Sequence, residues 1–179
     1  MAFGLFVRKE RTAMETASAE QPWSFKMLAP LEPGIVCIDM ERMLKFYTEV
    51  LGLKLESDAQ TSPEMSTRFR ATPDGYRIVR LQTPYGGRVK LVQPKVPPPR
   101  NPVPEWVFGR QGVAYFTFVV ADLKTILVRL RASGAKLLSA EPVEVRKGVL
   151  AQFVLDPDGN CVEFVEFADA ARQPDPSRK

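Results

Sequence analysis

Two short stretches of this chain repeat one pattern of apolar and polar positions. In "GIVCIDMERMLKFYTEVLGLKL", residues 35–38 are an apolar run of strand character. Asp39 follows as a helix N-cap, since its carboxylate accepts from the free N–H groups of a first turn. Met43, Leu44, Tyr47, Val50 and Leu51 then recur at helical spacing. Gly52 supplies the left-handed stop, and residues 53–55 begin another strand. In "YFTFVVADLKTILVRLRASGAKLL" the cap is Asp122, the helical stripe is Leu123, Ile126, Leu127 and Leu130, the stop is Gly134, and residues 135–138 form the next strand. The caps stand 83 residues apart (122 − 39) and the stops 82 (134 − 52). Downstream, "YGGRVKLVQ" and "PDGNCVEFVE" both read as turn then strand, with Gly86 matching Gly159. The pattern predicts an internal repeat of a β-α-β-β-β unit.

The repeat predicts an α+β fold: two tandem β-α-β-β-β modules forming a curled mixed β-sheet around a central cavity, with the helices outside. Residues 1–29 are an N-terminal tail or arm, 30–94 the first module, and 95–111 a Pro-rich linker containing "PKVPPPRNPVPEW". The second module spans 112–168, and 169–179 is a C-terminal tail. Strand alternation sends Phe116, Phe118, Val120, Val162 and Phe164 under the helix, and Tyr115, Thr117, Val119, Cys161, Glu163 and Val165 toward the cavity. Residues 156–160, "DPDGN", form the turn between the last two strands, with Pro157 presetting the backbone and Gly159 allowing a left-handed conformation.

Composition narrows the chemistry. The chain has 179 residues, 45% hydrophobic and 26% charged, enough for an ordinary core. No apolar run reaches membrane-spanning length, and "MAFGLFVRKERT" reverses the order of a secretory signal, so the expected location is cytoplasmic, with no membrane partner. Net charge is +4, but no basic run interleaves with aromatics, so nucleic acid is not an expected partner. Cys37 and Cys161 give neither a disulfide framework nor a zinc spacing. The sequence contains no histidine, the commonest metal ligand and the commonest acid–base group near neutral pH.

The segments "DMERMLKFYTEVLGLKL", "VADLKTILVRLRASGAKL" and "FVLDPDGNCVEF" resemble the vicinal oxygen chelate superfamily, which includes glyoxalase I, bleomycin-resistance proteins and extradiol dioxygenases. The resemblance runs over about residues 30–168. In that family's metal-dependent members, four positions converge on a divalent ion, usually two His and two Glu. The resemblance carries these onto Glu163, a match, and onto Lys90, Tyr115 and Glu32, which depart from it. A lysine ammonium has no lone pair to offer a cation. The sequence reading is therefore a protein with no metal and no cofactor, and a two-His dioxygenase centre is excluded.

Two functions remain. In the first, Lys90 stands in for the metal's charge on a strand facing Glu163, which takes a proton beside a carbonyl or hydroxyl while Tyr115 donates or orients. That describes a metal-independent isomerase, epimerase or lyase acting on an oxygenated organic molecule. Glu32, Thr117, Gln152, Arg88 and Trp106 are the substrate-binding candidates, Arg88 for a carboxylate and Trp106 as part of a linker overhanging the cavity. In the alternative, the chain only holds a small molecule, as the bleomycin-resistance members do. The resemblance also implies a homodimer, with the N-terminal residues as a flexible tail or as an arm on the neighbouring subunit.

Overall fold

The computed structural model describes residues 27–168; the expected N-terminal arm, apart from residues 27–29, and the C-terminal tail fall outside the described residues. The first module runs β1 (Gly34–Val36), α1 (Met40–Lys45), a π-helical turn (Phe46–Val50), β2 (Lys54–Thr61), α2 (Pro63–Arg68), β3 (Tyr76–Gln82) and β4 (Arg88–Pro94). The second runs β5 (Tyr115–Val119), α3 (Leu123–Ala132), β6 (Lys136–Leu137), β7 (Val143–Arg146), β8 (Val149–Leu155) and β9 (Cys161–Phe167). Each module makes its own mixed sheet, ordered β1-β4-β3-β2 and β5-β9-β8-β6, with β7 also pairing β8. In both, the first strand runs parallel to the last at a sheet edge (β1 with β4, β5 with β9).

The helix starts follow the capping chemistry read from the sequence. Asp39 accepts from the Arg42 amide at 3.1 Å, and Asp122 from the Thr125 amide at 2.9 Å. Gly52 and Gly134 both sit at positive φ, +80° and +75°, where a side chain would be strained. The helix expected across residues 40–51 is not uniform: after Lys45 it widens into the π turn, closed by the Leu51 amide on the Phe46 carbonyl at 3.1 Å. The first module has one residue more between cap and stop than the second, and the π turn absorbs it. The strand expected at 135–138 is shorter, and its continuation is the separate β7. Together β6 and β7 pair β8 where one long β2 pairs β3 in the first module.

A single apolar core joins the modules on their helix-covered sides. Met40, Met43 and Tyr47 pack with Val79, Leu81, Val89 and Leu91 of the first sheet, and the same cluster continues through Leu123, Leu127, Leu130, Val154, Val162 and Phe164. The joint is specific. The Tyr47 ring stacks on Phe116 at 6.5 Å, and its hydroxyl donates to the buried Asp156 carboxylate at 3.1 Å. The Ile38 amide donates to Asp158 at 2.7 Å, and Arg129 donates to the Glu49 carbonyl at 2.7 Å. Asp156 is further held by the Asp158 and Asn160 amides, so the "DPDGN" turn both closes the β8–β9 hairpin and clamps the first module. Burial pushes the Asp156 carboxyl above its usual range, and these donors oppose that shift. No helix among the described residues is long and apolar enough to cross a membrane.

Candidate functional site

Because the helices take one face of each sheet, the opposite faces are left to carry chemistry. On the first sheet, pairing across the strands puts Ser57, Arg80, Lys90 and Gly34 in one row and brings Gln82 beside Arg88. Glu32, just before β1, reaches onto this face. Its Oε2 accepts from Lys90 Nζ at 2.8 Å and its Oε1 from Arg88 at 2.9 Å. Arg88 also donates to Glu56 at 2.8 Å. The result is a continuous chain, Lys90–Glu32–Arg88–Glu56, in which Lys90 first and then Arg88 hold the Glu32 carboxyl below its usual range. Its flank is a cavity of about 360 Å³ lined by Glu32, Glu56, Ser57, Arg80 and Arg88.

The second sheet is built differently. Pairing puts Tyr115, Thr117 and Val119 beside Cys161, Glu163 and Val165, and Phe153 beside Glu163. The half-buried Glu163 accepts from the Thr117 hydroxyl at 2.6 Å on Oε2 and makes no ion pair among the described residues. Beside it Tyr115 meets Phe153 edge-on, ring centres 5.0 Å apart, and the linker residue Phe108 at 6.0 Å. The outcome is a carboxylate at the margin of an aromatic cluster.

The sequence candidates therefore fall into two groups. The structure brings Glu32, Lys90 and Arg88 together on one sheet, and Glu163, Thr117 and Tyr115 together on the other. The expected Lys90–Glu163 pair is not made within the chain: Lys90 takes Glu32 and Glu163 takes Thr117. Arg88, expected to await a substrate carboxylate, already holds two carboxylates of its own chain. Gln152 does not share the Glu163 face. It pairs with Phe164 on the helix side, is 1% exposed, and donates to Ser139 at 2.9 Å, pinning the link between β6 and β7. Trp106 is 72% exposed and forms a turn through its carbonyl and the Gly109 amide, while Phe108 is the linker residue that reaches Tyr115.

Arg80, Glu56 and Phe153 were missed by sequence reasoning. The signal for Arg80 lay in "YRIVRLQ", where buried Val79 and Leu81 alternate with residues of the open face. Glu56 sits at a bulge between Leu55 and Ser57, which defeats simple alternation. Cys37 and Cys161 are buried, and burial pushes their thiols up to about 12 and about 11, so neither is a thiolate near neutral pH.

Paired β-α-β-β-β modules, each with one helix-covered face and one open face, define a class of α+β fold that hosts many chemistries. The sequence profile of the Glyoxalase/Bleomycin resistance protein/Dioxygenase superfamily matches residues 28–164, and the chain belongs to that superfamily. It is 30% identical over 132 residues to a probable chloroplastic lactoylglutathione lyase of Arabidopsis thaliana, covering 72% of this chain but 33% of that protein. It is 29% identical over 133 residues to a lactoylglutathione lyase of Haemophilus influenzae, covering 72% of this chain and 84% of that one. Among solved structures, a glyoxalase family protein from Bacillus cereus superposes with a TM-score of 0.69 at 22% identity, over 82% of this chain and 98% of the other. Leishmania major glyoxalase I superposes at 0.54 and 24% identity, over 76% and 84%. These structural likenesses establish the fold.

Proposed function

We propose that this chain is a metal-independent acid–base enzyme of its superfamily, an isomerase, epimerase or lyase, working as a cytoplasmic homodimer. In this reading the first-sheet face of one copy meets the second-sheet face of its partner. The observation that carries it is the unequal state of the two glutamates. Glu32 has both oxygens committed to cations, while Glu163, among the described residues, has a threonine hydroxyl on one oxygen and keeps the other for substrate. Val36 and Val119, 53% and 44% exposed on the edge strands β1 and β5, support pairing of copies along those edges.

The four positions where the superfamily's metal-dependent members hold a divalent ion do not fit one here. Lys90 has no lone pair, and Glu32 would have to release two cations before it could ligate. The residues support another division of labour. Glu163 removes a proton from the carbon next to a carbonyl. The charge that develops on the carbonyl oxygen lies against Lys90 of the facing copy, and the Tyr115 phenol donates to it or orients it. Returning the proton to the other face gives epimerisation, returning it to another carbon gives isomerisation, and expelling a leaving group gives elimination. No cofactor is needed.

The test is exchange of solvent deuterium into the carbon beside the carbonyl of 2-oxobutanoate, followed by proton NMR. The wild type should catalyse the exchange and Glu163→Gln should not, with binding retained. Equal exchange by both would sink the acid–base reading. A sequestering binder is the second reading, favoured by the Phe108–Tyr115–Phe153 cluster beside Glu163, which suits a flat ligand held without chemistry.

A further inference from the structure

Four cations share the open face of the first sheet, Lys54, Arg80, Arg88 and Lys90, and two carboxylates neutralise two of them. Lys90 and Arg88 are held by Glu32 and Glu56. Arg80, exposed and lining the same cavity, makes no ion pair among the described residues. With Lys54 at the β2 end of the Gln82–Arg88 row, the face is two negative charges short of balance, and Arg80 is the unmatched cation that lines the cavity. Arg80 stands next to Lys90 on one side of the row and next to Ser57 on the other, with backbones about 5 Å apart at each step. At the far end of the row Gly34 presents no side chain, and a Cβ there would meet nothing within 4 Å, so the approach to Lys90 is open. The cavity of about 360 Å³ is an open depression, reachable from solvent.

We propose that this face takes a small oxo acid, with Arg80 as the receptor for its carboxylate, Ser57 as an auxiliary donor, and the carbonyl oxygen directed to Lys90. The carboxylate end follows from the charge balance alone; the carbonyl end rests on the acid–base reading above. An arginine suits the task because its planar fork pairs a carboxylate through two parallel hydrogen bonds. Glu56, on the cavity wall, sets a limit on charge. A second carboxylate on the ligand would be repelled there, so monocarboxylates are favoured over dicarboxylates.

The experiment is a titration of 2-oxobutanoate and 4-oxopentanoate, each against its methyl ester, with the wild type, Arg80→Gln, Arg80→Lys and Glu163→Gln, read by ligand-observed NMR. Arg80 is exposed and makes no ion pair among the described residues, so its variants should keep the wild-type melting temperature. The expected result is at least tenfold tighter binding of acid than ester, lost in Arg80→Gln, partly restored in Arg80→Lys, and intact in Glu163→Gln. The proposal is overturned if acid and ester bind alike, if Arg80→Gln binds the acids as the wild type does, or if no acid binds at 50 mM. Arg80-dependent binding with no Glu163-dependent exchange would refute the acid–base reading while leaving the carboxylate receptor standing. Exchange that needs Glu163 but is indifferent to Arg80 would do the reverse.

Discussion

The two modules share a strand order and a capping scheme, yet they treat their glutamates in opposite ways. On the first sheet Glu32 is locked between Lys90 and Arg88, and Arg88 in turn is locked to Glu56. On the second sheet Glu163, among the described residues, accepts from the Thr117 hydroxyl and sits beside aromatic rings. A carboxylate gripped by two cations is a poor base, because removing it from its partners costs the interactions that hold it ionised. A carboxylate with a free oxygen and weak partners remains available to a substrate proton. Repetition of the fold has thus produced a cationic half and a basic half, and the reading that joins them across two copies follows from that division.

The sharpest way to break this comparison is to remove the base. Glu163→Gln should reduce exchange or turnover by about 10²–10⁴-fold, the usual contribution of a positioned base, with ligand affinity unchanged. Lys90→Gln should lower turnover by about 10²-fold, as expected for loss of a group facing a developing oxyanion. It should lower stability only slightly, because Glu32 keeps Arg88 as a partner. Kinetics and chemical denaturation of the same variant separate the two effects, and a variant that loses stability but not rate would make Lys90 structural.

Smaller effects test the joint and the surface charges. Tyr47→Phe removes the buried hydrogen bond to Asp156 and should cost about 1–2 kcal/mol, a fall in melting temperature of several degrees, without touching either open face. Acid should weaken the fold gradually. The carboxyls of Glu32, Asp58 and Asp122 are held below their usual range, by Lys90, Arg77 and Thr125 respectively, so they favour the folded state above that range. That contribution is lost as the pH falls through their folded values. Asp156, shifted upward by burial, works in the opposite direction, and Asp156→Asn should make the acid branch of a stability–pH curve steeper. Asp122→Ala should lower the denaturation midpoint slightly through loss of the α3 cap, measurable by denaturant titration.

Much of the scaffold was legible because its signals are local. A cap aspartate, a helical stripe and a stop glycine occupy one short window each, and the repeat doubles their weight. Even the π turn leaves a trace, in the single residue by which the cap and stop spacings differ. The site was legible only by residue type. Glu32, Lys90, Arg88, Glu163, Thr117 and Tyr115 all lie on the open faces. Which of them touch depends on how the sheets are turned relative to each other, and no local pattern reports that. Gln152 shows the same limit on a smaller scale. Beside Phe153 it could face either side, and only its pairing with Phe164 turns it into the core. Arg80 escaped notice because an exposed arginine on a strand reads as ordinary surface until its neighbours are seen to be neutralised.

The most direct test of a site shared between two copies is to mix the Lys90→Gln and Glu163→Gln proteins under conditions that let subunits exchange, and to follow deuterium incorporation into 2-oxobutanoate. Each variant alone should be nearly inactive. Random pairing makes half the dimers mixed, and each mixed dimer carries one intact site, so the mixture should regain roughly a quarter of the wild-type rate. A mixture no more active than its two components would contradict the account, and would return Lys90 and Glu163 to separate roles within one chain.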